Sequence, residues 1–65
     1  MNYELTEFQT YDGEVLGRLY FDRDEEKWIF IDLDVEYPTR YDVKCFTKLD
    51  DQILINCYNG AIFWF

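Results

Sequence analysis

The chain has 65 residues and is expected to form one domain, residues 1–65, with little room to enclose a substrate. Fourteen acidic residues against six basic ones give a net charge of −8, which opposes direct binding to nucleic acid or to an anionic membrane. Aromatic residues make up 22% of the chain, which argues against disorder, because disordered chains combine high charge with few aromatic side chains.

The first predicted element is a hairpin with Asp12-Gly13 at its turn. Asp-Gly favours a two-residue turn, because both residues tolerate positive φ. The Phe8 ring would then cover Gly17, which has no side chain. The pairs that this turn predicts are Thr10 with Val15, Phe8 with Gly17, Glu7 with Arg18, Thr6 with Leu19 and Glu4 with Phe21.

A third strand is predicted over residues 28–35, after a charged loop at residues 22–27. Apolar and acidic residues alternate here, and successive side chains of a strand point to opposite faces. The residues predicted to face the core are Ile29, Ile31, Leu33 and Val35. The residues predicted to face outward are Trp28, Phe30, Asp32, Asp34 and Glu36.

These five outward-facing residues are the candidate partner-binding site. Asp32, Asp34 and Glu36 would stand about 6.5–7 Å apart along the strand, a spacing that imitates the phosphates of an extended nucleic-acid strand. Further acids that would extend this row are Asp42, Asp50 and Asp51. The alternative interpretation is a half-exposed strand whose charges only discourage edge aggregation.

The aromatic surplus supplies candidate interface anchors. Trp28 and Phe30 share the outward face with the acids, and Trp and Tyr dominate binding hot spots. The tyrosines expected to be partly exposed are Tyr3, Tyr11, Tyr20, Tyr37 and Tyr58. The alternative is that a curled sheet buries both faces and keeps Trp28 and Phe30 in the core.

Residues 38–49 fit two patterns. Read as a strand, Tyr41, Val43 and Cys45 share one face, and the residue types favour this reading. Read as a helix, Tyr41, Cys45 and Leu49 stack on one side, and Pro38 fits the first turn. The strand is the primary prediction.

A final hairpin is predicted around Asn59-Gly60. A two-residue turn would place Cys57 opposite Ile62 and Ile55 opposite Trp64. Both faces of this hairpin are largely apolar. If the terminal strand lies at an edge of the sheet, it could pair with another copy or with a partner's sheet.

These elements predict an all-β fold, an antiparallel meander of five or six strands in a curled sheet or SH3-like barrel. The alternative is an α+β fold with one helix at about residues 38–49. Cys45 and Cys57 lie in apolar stretches, which predicts two buried, reduced thiols rather than a disulfide. Residues 1–10 lack the pattern of a signal peptide, so a cytoplasmic location is expected.

The composition predicts a protein without catalysis, cofactor or metal. The chain contains no histidine and no serine, which removes the usual general base and the hydroxyl nucleophile. The remaining prediction is an acidic protein-binding module, a stoichiometric inhibitor or adaptor that covers a basic surface of its partner, such as a nucleic-acid-binding surface. The alternative is a structural or oligomerising subunit that uses its apolar C-terminal strand. In size, acidity and aromatic content the chain is similar to many small bacteriophage-encoded inhibitors of host proteins, a similarity of type that carries no residue over.

Overall fold

The computed structural model describes residues 6–65, which form six strands. The described residues include no helix that could cross a membrane. The strands are β1 Thr6–Gln9, β2 Val15–Asp22, β3 Lys27–Asp32, β4 Thr39–Leu49, β5 Gln52–Cys57 and β6 Ile62–Trp64. Each strand pairs antiparallel with the next one along the chain, which confirms the predicted all-β meander. Tyr3 and Glu4 lie outside the described residues, and so does the predicted pairing of Glu4 with Phe21.

The sheet curls into a half-barrel because different parts of β4 pair with different strands. Its first residues pair with β3 and its later ones with β5. Val43 lies opposite Cys57 and Cys45 opposite Asn56, so Lys44 is an extra residue that forms a β-bulge. A bulge bends its strand and increases the local twist.

The helix considered for residues 38–49 is therefore wrong, and the predicted strand is confirmed from Thr39 onward. The bulge nevertheless reverses the predicted alternation beyond Lys44. Phe46, and not Cys45, packs against the core together with Tyr41 and Val43. Both cysteines are free, but only Cys57 is buried, so the prediction of a buried thiol is wrong for the exposed Cys45.

The core lies on the concave side of the half-barrel and is centred on Phe30, whose exposed fraction is 0%. The ring centroid of Phe30 lies 4.5 Å from that of Phe63 and 5.6 Å from that of Phe65. The other residues of the buried cluster are Leu19, Val43, Ile55 and Cys57. The prediction that Phe30 is exposed is wrong, because curling turns its face of β3 into the interior.

Gly17 makes room for this ring. It pairs with Phe8 as predicted, but a Cβ atom at Gly17 would lie 2.6 Å from Cζ of Phe30 and 2.7 Å from its Cε1. Phe30 on β3 therefore occupies the space above the glycine, and no atom of Phe8 is among the three heavy atoms nearest to that Cβ position. The requirement for glycine here is a close approach rather than a turn.

The turns of the first and last hairpins have three residues instead of the two predicted. The Cys57 N–H donates to the Ala61 carbonyl at 2.9 Å, and Thr10 N–H donates to the Glu14 carbonyl at 2.8 Å. Each loop ends on a glycine at positive φ, 93° for Gly13 and 92° at the second turn. This is the three-residue loop that combines a type I turn with a left-handed glycine.

The longer loop changes the register of the C-terminal hairpin by one residue. Phe63 lies opposite Ile55 and packs against the core, whereas Ile62 and Trp64 face outward. The predicted pairing of Ile55 with Trp64 is therefore wrong. In the first hairpin the shift is cancelled, because an irregularity between Phe8 and Gln9 restores the predicted pairs deeper in the sheet.

The convex side carries charged residues that bridge two strands, β3 and β4, and the loop between β2 and β3. Ile29 is fully buried there, between its cross-strand neighbours Tyr20 and Asp42. Lys27 Nζ lies 3.3 Å from the Asp42 carboxylate, and Arg40 forms an ion pair with Glu25. Hydrocarbon stems of long basic side chains can shield apolar surface. Ile29 on this face of β3 and Phe30 on the opposite face are both fully buried.

Candidate functional site

Two loops of the meander meet at one end of the sheet. Residues 10–14 join β1 to β2 and residues 33–38 join β3 to β4, and alternate connections of a meander lie at the same end. The Leu33 N–H donates to the Leu16 carbonyl at 3.0 Å, which holds the second loop against the start of β2. We call residues 10–14 and 32–38 the acidic loop end.

The acidic loop end carries negative charge only. Its carboxylates are Asp12, Glu14, Asp32, Asp34 and Glu36. Neither segment contains lysine or arginine, so the local charge is uncompensated within them. An oriented group of like charges attracts a surface of opposite sign and steers its approach.

The loop at residues 33–38 begins because Asp32 ends β3. One Asp32 carboxylate oxygen accepts a hydrogen bond from the Asp34 N–H at 3.0 Å, the pattern of an Asx turn. The predicted third strand is therefore confirmed as far as Asp32, and its predicted extension to Val35 is wrong. Asp34 and Glu36 remain exposed and close in sequence to Asp32, but they do not form a row at strand spacing.

Exposed apolar side chains lie beside these acids. The exposed fractions are 109% for Tyr11 and 75% for Tyr37. Val35, which was predicted to face the core, is also exposed because the strand has ended before it. The predicted exposure of Tyr11 and Tyr37 is confirmed, as it is for Tyr58 in the loop of the last hairpin.

Hydrogen bonds organise the acid of the first loop. The Thr10 hydroxyl donates to the Asp12 carboxylate, and the Glu14 N–H donates to Thr10 Oγ1 at 3.0 Å. The hydrogen bond from Thr10, followed by one from the backbone of Glu14, lowers the pKa of Asp12 below its ordinary value. These donors favour the ionised carboxylate, so Asp12 retains its negative charge in mildly acidic solution.

The structure separates the two aromatic candidates from the acids. Phe30 is buried in the core, and Trp28 is half-buried on the concave side, where its ring packs edge-on against Phe46 at 4.8 Å. Trp28 lines the open mouth of the half-barrel, a cavity of about 380 Å³. The apolar residues around this cavity are Phe8, Leu19, Trp28, Phe46, Ile53 and Phe65.

The proposed extension of the acidic row is also wrong. Asp42 lies on the convex face of β4, where it pairs with Lys27. Asp50 and Asp51 connect β4 to β5 at the opposite end of the sheet from residues 33–38. Their place in the meander therefore keeps all three acids away from the acidic loop end.

Sequence reasoning missed Asp12 and Glu14 as members of the site. The signal that could have found them is topological: in a meander, the loop after the first strand and the loop after the third lie at the same end. Asp12 was interpreted only as a turn residue. With these two acids added, the acidic loop end carries five carboxylates and two exposed tyrosines, Tyr11 and Tyr37.

The chemistry available at this end is recognition of cations. Carboxylates accept charge-assisted hydrogen bonds from guanidinium and ammonium groups, and tyrosine rings offer faces for cation–π contacts. Comparison of the chain with protein-family models, with curated proteins and with solved structures gives no match.

Proposed function

We propose that this chain is a non-catalytic protein-binding module whose acidic loop end covers a basic surface of a partner protein. The observation that supports the proposal is the segregation of charge in the described structure. Five carboxylates stand at the loop end without a basic residue in its two segments, beside exposed Tyr11 and Tyr37.

Three of the basic residues lie on the strands and form ion pairs there. Arg18 Nε lies 2.8 Å from the Glu7 carboxylate, and Lys27 and Arg40 belong to the ion pairs of the convex face. The hydrogen bond that Arg40 donates to the Glu25 carboxylate raises the pKa of Arg40 above its ordinary value. These contacts place positive charge on the outer surfaces of β2, β3 and β4, outside the two segments of the acidic loop end.

The tyrosines complete the proposed interface. Exposed rings that lose water on binding provide the apolar anchor that charges alone lack, and Tyr is enriched among hot spots. Tyr37 takes the role that the sequence assigned to Trp28 and Phe30. An acidic rim with an aromatic anchor suits a stoichiometric inhibitor or adaptor that blocks a basic surface.

Nucleic-acid-binding surfaces are the strongest candidates among basic surfaces, because they concentrate Lys and Arg. Support for this comes from the density of charge at the loop end and not from phosphate-like spacing, since Asp34 and Glu36 lie outside the strand. Two unpaired cysteines suit a reducing compartment, so we place the interaction in the cytoplasm.

The test uses the whole chain as bait in a lysate at low and at moderate salt, followed by affinity measurements with the purified captured protein. The double variant Asp34→Asn with Glu36→Gln removes two charges from the loop end. Its matched control, Asp50→Asn with Asp51→Asn, removes two charges from the opposite end. We expect the first variant to weaken binding about three- to thirtyfold and the control by less than about twofold.

A second comparison addresses the anchor and the partner. Tyr37→Ser should weaken binding without changing the salt dependence, whereas added DNA should compete if the covered surface binds nucleic acid. If the loop-end variant and its control lose equal affinity, the loss depends on net charge alone. That result would refute the assignment of the site to the acidic loop end. Binding that is insensitive to salt would refute the basic partner.

A further inference from the structure

We infer that the open edge of β6 pairs with β6 of a second copy of this chain, in an antiparallel and symmetric arrangement. This site lies on a different surface from the acidic loop end and does not depend on the proposed function. Among the strands of residues 6–65, β6 is the last of the sheet and pairs with β5 alone. No Cα of β1, the strand at the other end of the described sheet, lies within 8 Å of a β6 Cα.

The hydrogen bonds of the last hairpin show which backbone groups face the open edge. Ile53 and Phe65 exchange two bonds, at 2.8 and 3.0 Å, and the Cys57 N–H donates to Ala61. In an antiparallel ladder such bonded pairs alternate with pairs whose groups point away. The N–H and C=O groups of Ile62 and Trp64 therefore point outward, free to bond an added strand.

The same two residues expose their side chains. Ile62 is 64% exposed and Trp64 is 62% exposed, on the convex face of the hairpin. Proteins usually protect such edges with charge, proline or a bulge. Residues 52–65 contain no charged residue and no proline, and the β5–β6 pairing is regular through β6. Both the backbone and the side chains of this edge are thus unprotected.

The edge is complementary to itself. A two-fold axis at Phe63 would place Ile62 opposite the second copy's Trp64, and the converse pair would form on the other side of the axis. Both pairs would be hydrogen-bonded pairs, because both residues point their backbone groups outward. An aromatic residue facing a β-branched residue across two strands is a favourable combination, and the symmetry produces it twice.

The self-complementary register selects the second copy as the occupant, and the uncharged hairpin permits its approach. All 20 charged residues lie in residues 1–51, so the β5–β6 hairpin offers no acid to a basic partner. Two chains of charge −8 repel each other least when they approach through this long uncharged segment. One aromatic and one aliphatic side chain per copy bury less than the roughly 1,200 Å² of a standard interface. The dimer should therefore be weak and dependent on concentration.

Sedimentation equilibrium from about 10 μM to about 1 mM tests the proposal, across the range of weak association. The mass should rise from 8.0 kDa towards twice that value. Trp64→Lys should keep the chain monomeric, whereas Leu49→Lys, at another apolar residue that is 53% exposed, should dimerise as the wild type does. Each lysine makes the net charge less negative, so loss of the dimer cannot come from greater overall repulsion.

Amide exchange identifies the strand that forms the contact. The Ile62 and Trp64 amides should exchange at least about tenfold more slowly in concentrated than in dilute solution, while the Phe63 amide, directed at β5, should change little. A constant mass of 8.0 kDa over the whole range would overturn the proposal. So would a dimer that Trp64→Lys leaves intact, or one that leaves both edge amides unprotected. None of these results bears on the acidic loop end, whose variants lie outside the hairpin.

Discussion

Replacing Gly17 by alanine tests the packing argument at the centre of the half-barrel. In the interior of a strand, glycine is less favourable than alanine by about 0.5–1 kcal/mol, so propensity alone predicts that Gly17→Ala stabilises the protein. The structure predicts the opposite sign. The new Cβ would lie 2.6 Å from Cζ of Phe30, against about 3.5–4.0 Å for an ordinary carbon–carbon contact.

The ring must therefore retreat by about 1 Å, judged against ordinary contact distances. Its surroundings resist this, because Phe30 is fully buried and the Phe63 ring centroid lies 4.5 Å away. Overpacking of this kind costs about 1–3 kcal/mol, which outweighs the gain in propensity. We expect a net loss of about 1–2 kcal/mol in the free energy of unfolding and a fall of about 4–16 °C in Tm.

A double-mutant cycle with Phe30→Leu isolates the contact. The single variant Phe30→Leu should itself lose about 1–2 kcal/mol through the smaller buried side chain. In that background Gly17→Ala should be neutral or stabilising, a coupling of about 0.5–3 kcal/mol between neighbouring residues. Urea unfolding followed by tryptophan fluorescence measures each stability, with an unchanged m value as the check on two-state behaviour.

The reasoning is refuted if Gly17→Ala is as stable as the wild type, or if it loses the same free energy with leucine at position 30. The first result would mean that the ring has room to move. The second would mean that the loss arises elsewhere on β2, for example in the pairing with β1.

Two further predictions concern the last turn and the cysteines. Gly60 has a φ of 92° and open space around it, so Gly60→Ala should cost about 1 kcal/mol of unfolding free energy through backbone strain alone, and Gly60→Asn should cost less. Iodoacetamide should modify the exposed Cys45 in the native protein and leave Cys57 intact. Burial, and then the charge of Asp42, raises the pKa of Cys57. The stability that the protonated thiol of Cys57 contributes is therefore complete below pH 9.0, the ordinary thiol pKa. It declines above that pH, because the unfolded chain loses the proton before the folded chain does. Urea unfolding at about pH 8 and about pH 10 should show this decline, and Cys57→Val should reduce it; an identical decline in the variant would contradict the assignment.

The positions and order of the strands could be read from the sequence. Apolar alternation and turn residues are local signals, and the short connections leave each strand beside the next. The Glu7–Arg18 pair was predicted on this basis and is observed at 2.8 Å. The candidate acids Asp34 and Glu36 were correctly expected to be exposed, because no apolar contact competes for a carboxylate.

Predictions from local patterns were wrong where the same residues are compatible with two structures. Asn59-Gly60 suits a two-residue turn and equally a three-residue loop, and one residue of difference exchanges the buried and exposed sides of β6. The bulge at Lys44 has the same effect on Cys45 and Phe46. Alternation cannot locate an extra residue, since the pattern on either side of it remains regular.

The sequence by itself determined an acidic, all-β meander with aromatic residues in excess of what a small aliphatic core needs. Only the tertiary structure decided which aromatic residues are buried, because curling of the sheet encloses one face of β3 and the space above Gly17 admits the Phe30 ring. It also decided the site. Asp12 and Glu14 join Asp34 and Glu36 because the loops of a meander alternate between its two ends, a relation between distant segments that no local pattern contains.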